Sequence, residues 1–216
     1  MIGKIYLWLN QQLAKKDERG LPSAGVWSSK IREYALSLCQ GKQGLLLDIG
    51  CGEGLFLRRL AKGKITAFGI DINIKQLEIA RKNPGESCCL SAASAFSLPF
   101  KPETFDTLVC INTFYNMKSL AEVREIIRQM RFVGKKESRI IFDFRNSVNP
   151  ALKLKYKLAP VYDETIRKSK LPLSVFSLKE METVLSEENF ALISKKFLGF
   201  PYNMFSPVVI IEAKKC

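Results

Sequence analysis

Apolar positions along the chain change period several times, and each change marks an element. Ile2, Ile5, Leu9 and Leu13 recur at helical spacing until Gly20-Leu21-Pro22 breaks the run. A second helical run follows Ser23 and carries Val26, Trp27, Ile31, Tyr34 and Leu38. Leu45-Leu46-Leu47-Asp48-Ile49 is then a short continuous apolar stretch, as in a strand buried on both faces. A glycine turn and a helix from Leu55 to Ala61 come next. Strand patterns at Ile65–Ile70, Ser87–Ala92, Phe105–Ile111 and Arg139–Phe144 are interleaved with helical ones at Ile74–Arg81 and Leu120–Met130. Near the end, a helix at Leu178–Leu185 precedes two strands, Phe190–Leu198 and Val208–Ala213.

Strands alternating with helices predict an α/β protein of Rossmann-like, doubly wound architecture. Its seven-stranded sheet is mainly parallel, and the loop Gly199–Pro207 is short enough to close it with an antiparallel C-terminal hairpin. One domain over residues 1–216 is expected. It divides into a helical cap (1–42), a nucleoside-binding half (43–144), an insert or lid (145–176) and a closing helix with its hairpin (177–216). The insert contains Pro150, Pro160 and Pro172 and no clean strand. It is too long for a plain connection, and such inserts commonly serve as lids or binding elements.

Composition changes this picture in three places. Of 216 residues, 47% are apolar, which excludes a disordered chain. Lys plus Arg number 34 against 21 Asp plus Glu, a net charge of +13 that favours anionic partners: nucleic acid, acidic lipid or a charged substrate. The lysines are spread through every segment, so solubility alone is the competing explanation. There is no His, which removes the commonest general base and metal ligand. The six Cys form no C-x-x-C pair, so no metal site is expected. Neither a secretory signal nor an 18-residue apolar span is present, and a cytoplasmic location with free thiols is expected.

The sharpest local signal is Asp48-Ile49-Gly50-Cys51-Gly52-Glu53-Gly54, where the first buried strand turns into a helix. Gly50 and Gly52 leave no side chain between loop and ligand, and the following helix offers unpaired N–H groups. Asp71 ends the second strand, where a carboxylate can accept from ribose hydroxyls. The third glycine of a G-x-G-x-x-G dinucleotide site would fall at Leu55, and the G-K-[ST] ending of a phosphate loop is missing. The pattern therefore selects a nucleoside without a pyrophosphate.

These residues, with Gly69-Ile70-Asp71-Ile72, resemble motifs I and II of class I S-adenosylmethionine-dependent methyltransferases. Ser97-Leu98-Pro99-Phe100 followed by Thr104-Phe105-Asp106-Thr107-Leu108-Val109 is similar to the type 11, or ubiquinone/menaquinone-methyltransferase-like, group, and the likeness covers residues 42–145. It implies S-adenosylmethionine as cofactor and S-adenosylhomocysteine as product. Gly50, Cys51, Gly52 and Gly54 would line the methionine end, with Asp48 holding its amino group. Asp71 would bind the ribose and Ile72 pack on the adenine. Ser94, Ala95 and Phe96 would meet the adenine edge, and Asn112 and Thr113 would face the sulfonium. Ser94 stands where the group often has Asp, and Phe114-Tyr115-Asn116 replaces an aromatic-His-His segment, which excludes His-based acceptor deprotonation.

Methyl transfer from a sulfonium is an in-line displacement that positioning and exclusion of water can promote. No D-P-P-Y motif or Pro-Cys dipeptide points to a nucleobase amine or a cytosine-C5 acceptor. A small or lipophilic acceptor, anionic or amphiphilic, is therefore expected. Tyr115, Tyr162 and Asp163 are candidates for polar groups on the acceptor side. RNA methylation is the alternative favoured by charge, and a non-catalytic scaffold is the alternative of another class. The basic N-terminal helix could close over the cofactor or lie on anionic lipid.

Overall fold

The computed structural model describes residues 8–9, 11–21, 23–60, 65–82, 88–162 and 172–216. Its centre is a seven-stranded sheet ordered β3-β2-β1-β4-β5-β7-β6. The strands are β1 (Gly44–Ile49), β2 (Ile65–Asp71), β3 (Cys88–Ala92), β4 (Phe105–Cys110), β5 (Gly134–Arg145), β6 (Phe190–Leu198) and β7 (Val208–Lys215). β1 pairs in parallel with both β2 and β4, and β4 with β5. β7 runs antiparallel between β5 and β6. The mixed doubly wound sheet is thus as expected.

Helices cover both faces because the central strands are apolar on both. On one face α1 (Val26–Cys39), α2 (Leu57–Leu60) and α3 (Ile74–Lys82) bring Ile31, Ala35, Leu57 and Leu77 onto Leu46, Val109 and Ile141. On the other, α4 (Leu120–Val133) and α6 (Leu178–Glu187) bury Val123, Ile126, Ile127, Met181 and Val184 against Leu47, Leu108 and Phe142. Ser119 caps α4 by accepting from the Glu122 N–H, and Ser177 and Glu180 form a capping box on α6. The Leu98-Pro99-Phe100 segment has a packing role. Phe100 meets Phe105 edge-on at 4.9 Å and Phe68 at 6.2 Å, while Leu98 is buried.

The larger departures from expectation lie in β5, in the insert and after β1. β5 starts at Gly134, directly after α4, rather than at Arg139; Gly134 pairs with Phe105, and Lys135 reaches back to Asp106 at 2.8 Å. The insert contains a helix, α5 (Pro150–Tyr162), which its alternating apolar and basic sequence had concealed. The helix expected over Leu55–Ala61 is reduced to α2 among the described residues. Ile2 and Ile5 lie outside the described residues, as do Asp163 and the Tyr162 side chain.

The segment preceding α1 is fastened to the domain by buried charge. Glu18 is fully buried and accepts from the Arg32 guanidinium at 3.0 and 2.5 Å, from Ser29, and from Arg59 at 2.8 Å. Burial alone would raise the Glu18 carboxyl, but Arg32, Ser29 and Arg59 together hold it below the ordinary carboxylate range. Removing one member of such a network strands the others uncompensated. Glu18→Ala is therefore expected to cost about 3–5 kcal/mol of stability, read from the urea midpoint; a loss under about 1 kcal/mol would contradict this role for the network.

Candidate functional site

In an open parallel sheet, ligands bind beyond the carboxyl ends of the strands where the order reverses. Here the reversal lies between β1 and β4. β1 ends at Ile49, and the chain turns back through Gly50, Gly52 and Gly54, all at positive φ. A Cβ on Gly50 would come within 2.5 Å of the Thr113 hydroxyl oxygen, and one on Gly52 within 3.1 Å of Gln76. Glycine is required at position 50 by both the φ of +76° and the close neighbour.

Four of the loop's donors are spent internally. The N–H groups of Gly50 and Cys51 both donate to the Ile70 carbonyl, at 2.8 and 2.9 Å, and that of Gly54 donates to the Cys51 carbonyl. The Gly52 N–H donates to Asp71 Oδ2 at 2.8 Å. These four N–H groups therefore serve the geometry of the turn. What the turn presents is an absence of side chains. Gly54 also lets α3 approach, with Ala80 Cβ 3.3 Å from where its own Cβ would be.

Asp71 closes the site from β2. Its second oxygen accepts from the Asn73 N–H at 2.7 Å. Each oxygen thereby takes one backbone donor and keeps a lone pair, and the carboxylate is fixed in orientation. Ile72 next to it is 77% exposed, and Phe96 across the loop is 41% exposed. Ser94 accepts from the Phe96 N–H at 3.2 Å, so its hydroxyl shapes the turn that carries Ala95 and Phe96.

Asp48 lies under the loop and is 1% exposed. Burial, with a smaller push from the Asp71 charge and opposition from Arg32, raises its carboxyl to about 8. The pocket floor therefore carries a proton near neutral pH. Ser23 borders the loop on the other side, where its N–H donates to Glu53 at 2.8 Å and its hydroxyl bonds to the same carboxylate. The pre-α1 segment is thereby tied to the loop it covers.

A second cluster forms where β4 and β5 end. Asn112 adopts φ +54°, its N–H donates to Asp143 at 2.5 Å, and its Oδ1 accepts from Arg145 at 3.1 Å. Arg145 pairs with Asp143 at 2.5 Å and lies 4.7 Å over the Tyr115 ring, and Tyr156 of α5 hydrogen-bonds to it. Burial raises the Asp143 carboxyl, and Arg145 and the Asn112 N–H only partly oppose it. Burial likewise raises the Tyr115 phenol against the opposing Arg145 charge, so Tyr115 keeps its proton. The Nδ2 of Asn112 is buried without a partner among the described residues. Thr113 donates to the Ile111 carbonyl at 3.1 Å, which fixes it against Gly50. Cys110 is fully buried in β4, and burial holds its thiol well above the usual range.

The structure thus groups Asp48, Gly50, Cys51, Gly52, Asp71 and Ile72 at one site, with Asn112, Thr113 and Tyr115 at the neighbouring strand end. Sequence reasoning missed Arg32, Asp143, Arg145 and Tyr156. Asp143 did carry a signal: it is a lone acid inside Ile140-Ile141-Phe142-Asp143-Phe144, at a strand's carboxyl end.

A three-layer fold with this turn and acid at the switch point defines the domain of a class I, S-adenosylmethionine-dependent methyltransferase. Residues 47–142 match the family model described as a methyltransferase domain. An uncharacterized protein of Methanocaldococcus jannaschii is 35% identical over 94 residues, covering 44% of this chain and 39% of its own. The mouse 18S rRNA (guanine-N(7))-methyltransferase is 31% identical over 113 residues, covering 51% of this chain and 40% of its own. The chain therefore spans about two fifths of these relatives' length. The magnesium protoporphyrin IX methyltransferase of Synechocystis, solved with bound S-adenosylhomocysteine, has the same fold. Its TM-score is 0.67 at 17% identity, over 88% of this chain and 82% of that one.

The raised Asp48 has a consequence for stability. Between the unfolded carboxyl's value near 4 and the folded one of about 8, the native state holds one more proton than the unfolded state. Raising the pH through this window therefore destabilises the fold through Asp48. Asp48→Asn removes the effect. Its ligand-free stability is expected to exceed that of the parent by an amount that grows from pH 4 to pH 8, reaching on the order of a few kcal/mol. Thermal denaturation across that range checks this, and a gain independent of pH would contradict it.

Proposed function

We propose that the protein binds S-adenosylmethionine at the β1–β4 switch point and transfers its methyl group to a small or lipophilic acceptor seated under α5. The observation that carries the reading is Asp71, held by the Gly52 and Asn73 N–H groups with a lone pair on each oxygen still open. The surroundings fit the group. The side-chain-free turn would admit the methionine end, the exposed Ile72 and Phe96 offer apolar cover for a purine, and the Asn112 Nδ2 is a buried donor with no acceptor among the described residues. Asp48 would answer the ligand's amino group.

Bound here, the cofactor supplies an electrophilic methyl on a positively charged sulfur. The chain's own residues orient the partners and exclude water. Thr113 sets the strand-four turn against Gly50. Tyr115, Arg145 and Tyr156 wall the acceptor side, and Tyr115 can donate its retained proton in a hydrogen bond. Among the described residues this wall holds no group with the character of a strong base: Asp143 is spent on Arg145 and Asn112. The reading therefore favours acceptors that are nucleophilic without prior deprotonation. RNA is the second reading, favoured by the +13 charge and by the rRNA specificity named for the mouse relative. It calls for an open basic groove, whereas α5 packs over Arg145 through Tyr156.

Calorimetric titration with S-adenosylhomocysteine tests the cofactor site. Asp71→Ala is expected to lose about 2–4 kcal/mol of binding, and undiminished affinity in the folded variant would overturn the assignment. Asp48 adds a proton-linked signature. The ligand's ammonium favours the ionised carboxylate, so binding at about pH 7 should release a proton from a group that titrates near 8. Titrations in buffers of different ionisation enthalpy are expected to show this release in the parent and none in Asp48→Asn. Equal release by both would remove Asp48 from the site.

A further inference from the structure

The outward face of α5 reverses the usual amphipathic arrangement. Leu152, Tyr156 and Ala159 turn inward at helical spacing. Leu154, Leu158 and Val161 form a second apolar stripe, and they are 59%, 46% and 80% exposed. Lys153 and Lys157 run beside that stripe on the exposed surface, and residues 150–162 contain no acidic residue. The following residues 163–171 add Asp163 and Glu164 against Arg167, Lys168 and Lys170.

A second apolar element is joined to the same helix. The β6–β7 loop carries Phe200, Tyr202 and Met204, which are 82%, 64% and 60% exposed. Its carbonyls are held at the start of α5. Asn149 Nδ2 donates to the Phe205 carbonyl at 2.6 Å, and Asn146 Nδ2 donates to those of Met204 and Ser206 at 2.7 and 2.9 Å. Trp27 packs beneath Gly199 and Pro207 and braces the loop's base. Arg145 pairs with Val208, so the loop stands at the sheet edge where β5 ends, the edge that also carries the switch-point site.

Apolar residues grouped on an exposed surface commonly mark a contact. The combination here is apolar residues at a loop tip and along a helix, bordered by lysines, on a chain of net charge +13. We infer that α5 and the β6–β7 loop form a membrane-docking face that seats on the surface of an anionic bilayer. The loop aromatics and the helix stripe enter the headgroup–acyl boundary while Lys153 and Lys157 meet acidic headgroups. Among the described residues no helix is long and apolar enough to cross a membrane. This docking does not depend on which acceptor is methylated, or on whether the switch-point site binds its cofactor.

The test is co-sedimentation of the full chain with large vesicles of phosphatidylcholine alone and of phosphatidylcholine mixed with phosphatidylserine. Binding to the mixed vesicles is expected, weakened by high salt and much poorer on phosphatidylcholine alone. The double variant Leu154→Ser, Phe200→Ser is expected to lose at least about tenfold in binding, with an unchanged thermal midpoint because both side chains are exposed. Lys153→Gln with Lys157→Gln should weaken binding and reduce its salt dependence. Failure of the parent to bind either vesicle would overturn the proposal. So would binding that the double variant retains in full, since net charge alone would then account for it. A parent dimer in sedimentation equilibrium that the double variant dissociates would also overturn it, in favour of self-association through this face.

Discussion

The tight turn at Gly50 is the constraint on which the site depends. A parallel strand running out of the sheet must leave between its two neighbours, and β1 does so with β2 on one side and β4 on the other. The Ile70 carbonyl takes both the Gly50 and Cys51 N–H groups, which binds the turn to β2. Thr113 stands 2.5 Å from any Cβ at position 50, which binds it to the end of β4. With the turn pinned from both sides, Asp71 falls opposite the Gly52 N–H, and the loop and the acid become one rigid unit. The absence of a side chain is then what creates space for a ligand. The loop N–H groups that close the turn serve its own geometry.

Electrostatics act on a shorter range than the net charge implies. The +13 lies mostly on the surface, whereas the two buried clusters around the site are closely compensated. Glu18 and Asp17 answer Arg32 and Arg59 in one, and Asp143 answers Arg145 in the other. Asp48 differs because burial outweighs the opposing Arg32 charge and raises its carboxyl, and its proton becomes part of the resting site. A neutral floor that ionises when a cation arrives is consistent with recognition of an ammonium group. It is also a standing cost to the fold, which is the usual relation between stability and a functional site.

Much of the fold was legible because its signals are local. Leu45–Ile49 reads as a doubly buried strand, and the change from a continuous apolar run to a helical period marks the crossover helices. Gly50, Gly52 and Asp71 could be found because turn chemistry and a strand-end acid leave fixed spacings. Tyr115 was visible from its place after strand four. Its pairing with Arg145 and Tyr156 was not, since the three meet only when β4, β5 and α5 converge. The Glu18–Arg32–Arg59 network was hidden for the same reason: each member alone reads as an ordinary surface charge. α5 was obscured by its second exposed apolar stripe, which mimics a buried position, so the insert showed no single helical face. The early start of β5 follows from Gly134 pairing with Phe105, a contact between residues 29 apart in the chain.

In the proposed complex the ligand's ribose is gripped by Asp71 while its amino end lies over Asp48 beside the Gly50 turn. A crystal structure of the protein with S-adenosylhomocysteine tests it most directly. Both ribose hydroxyls are expected within hydrogen-bond distance of the Asp71 carboxylate, with the purine between Ile72 and Phe96 and the Gly52–Asp71 bond retained. A ligand seated elsewhere, or a ribose turned away from Asp71, would contradict it.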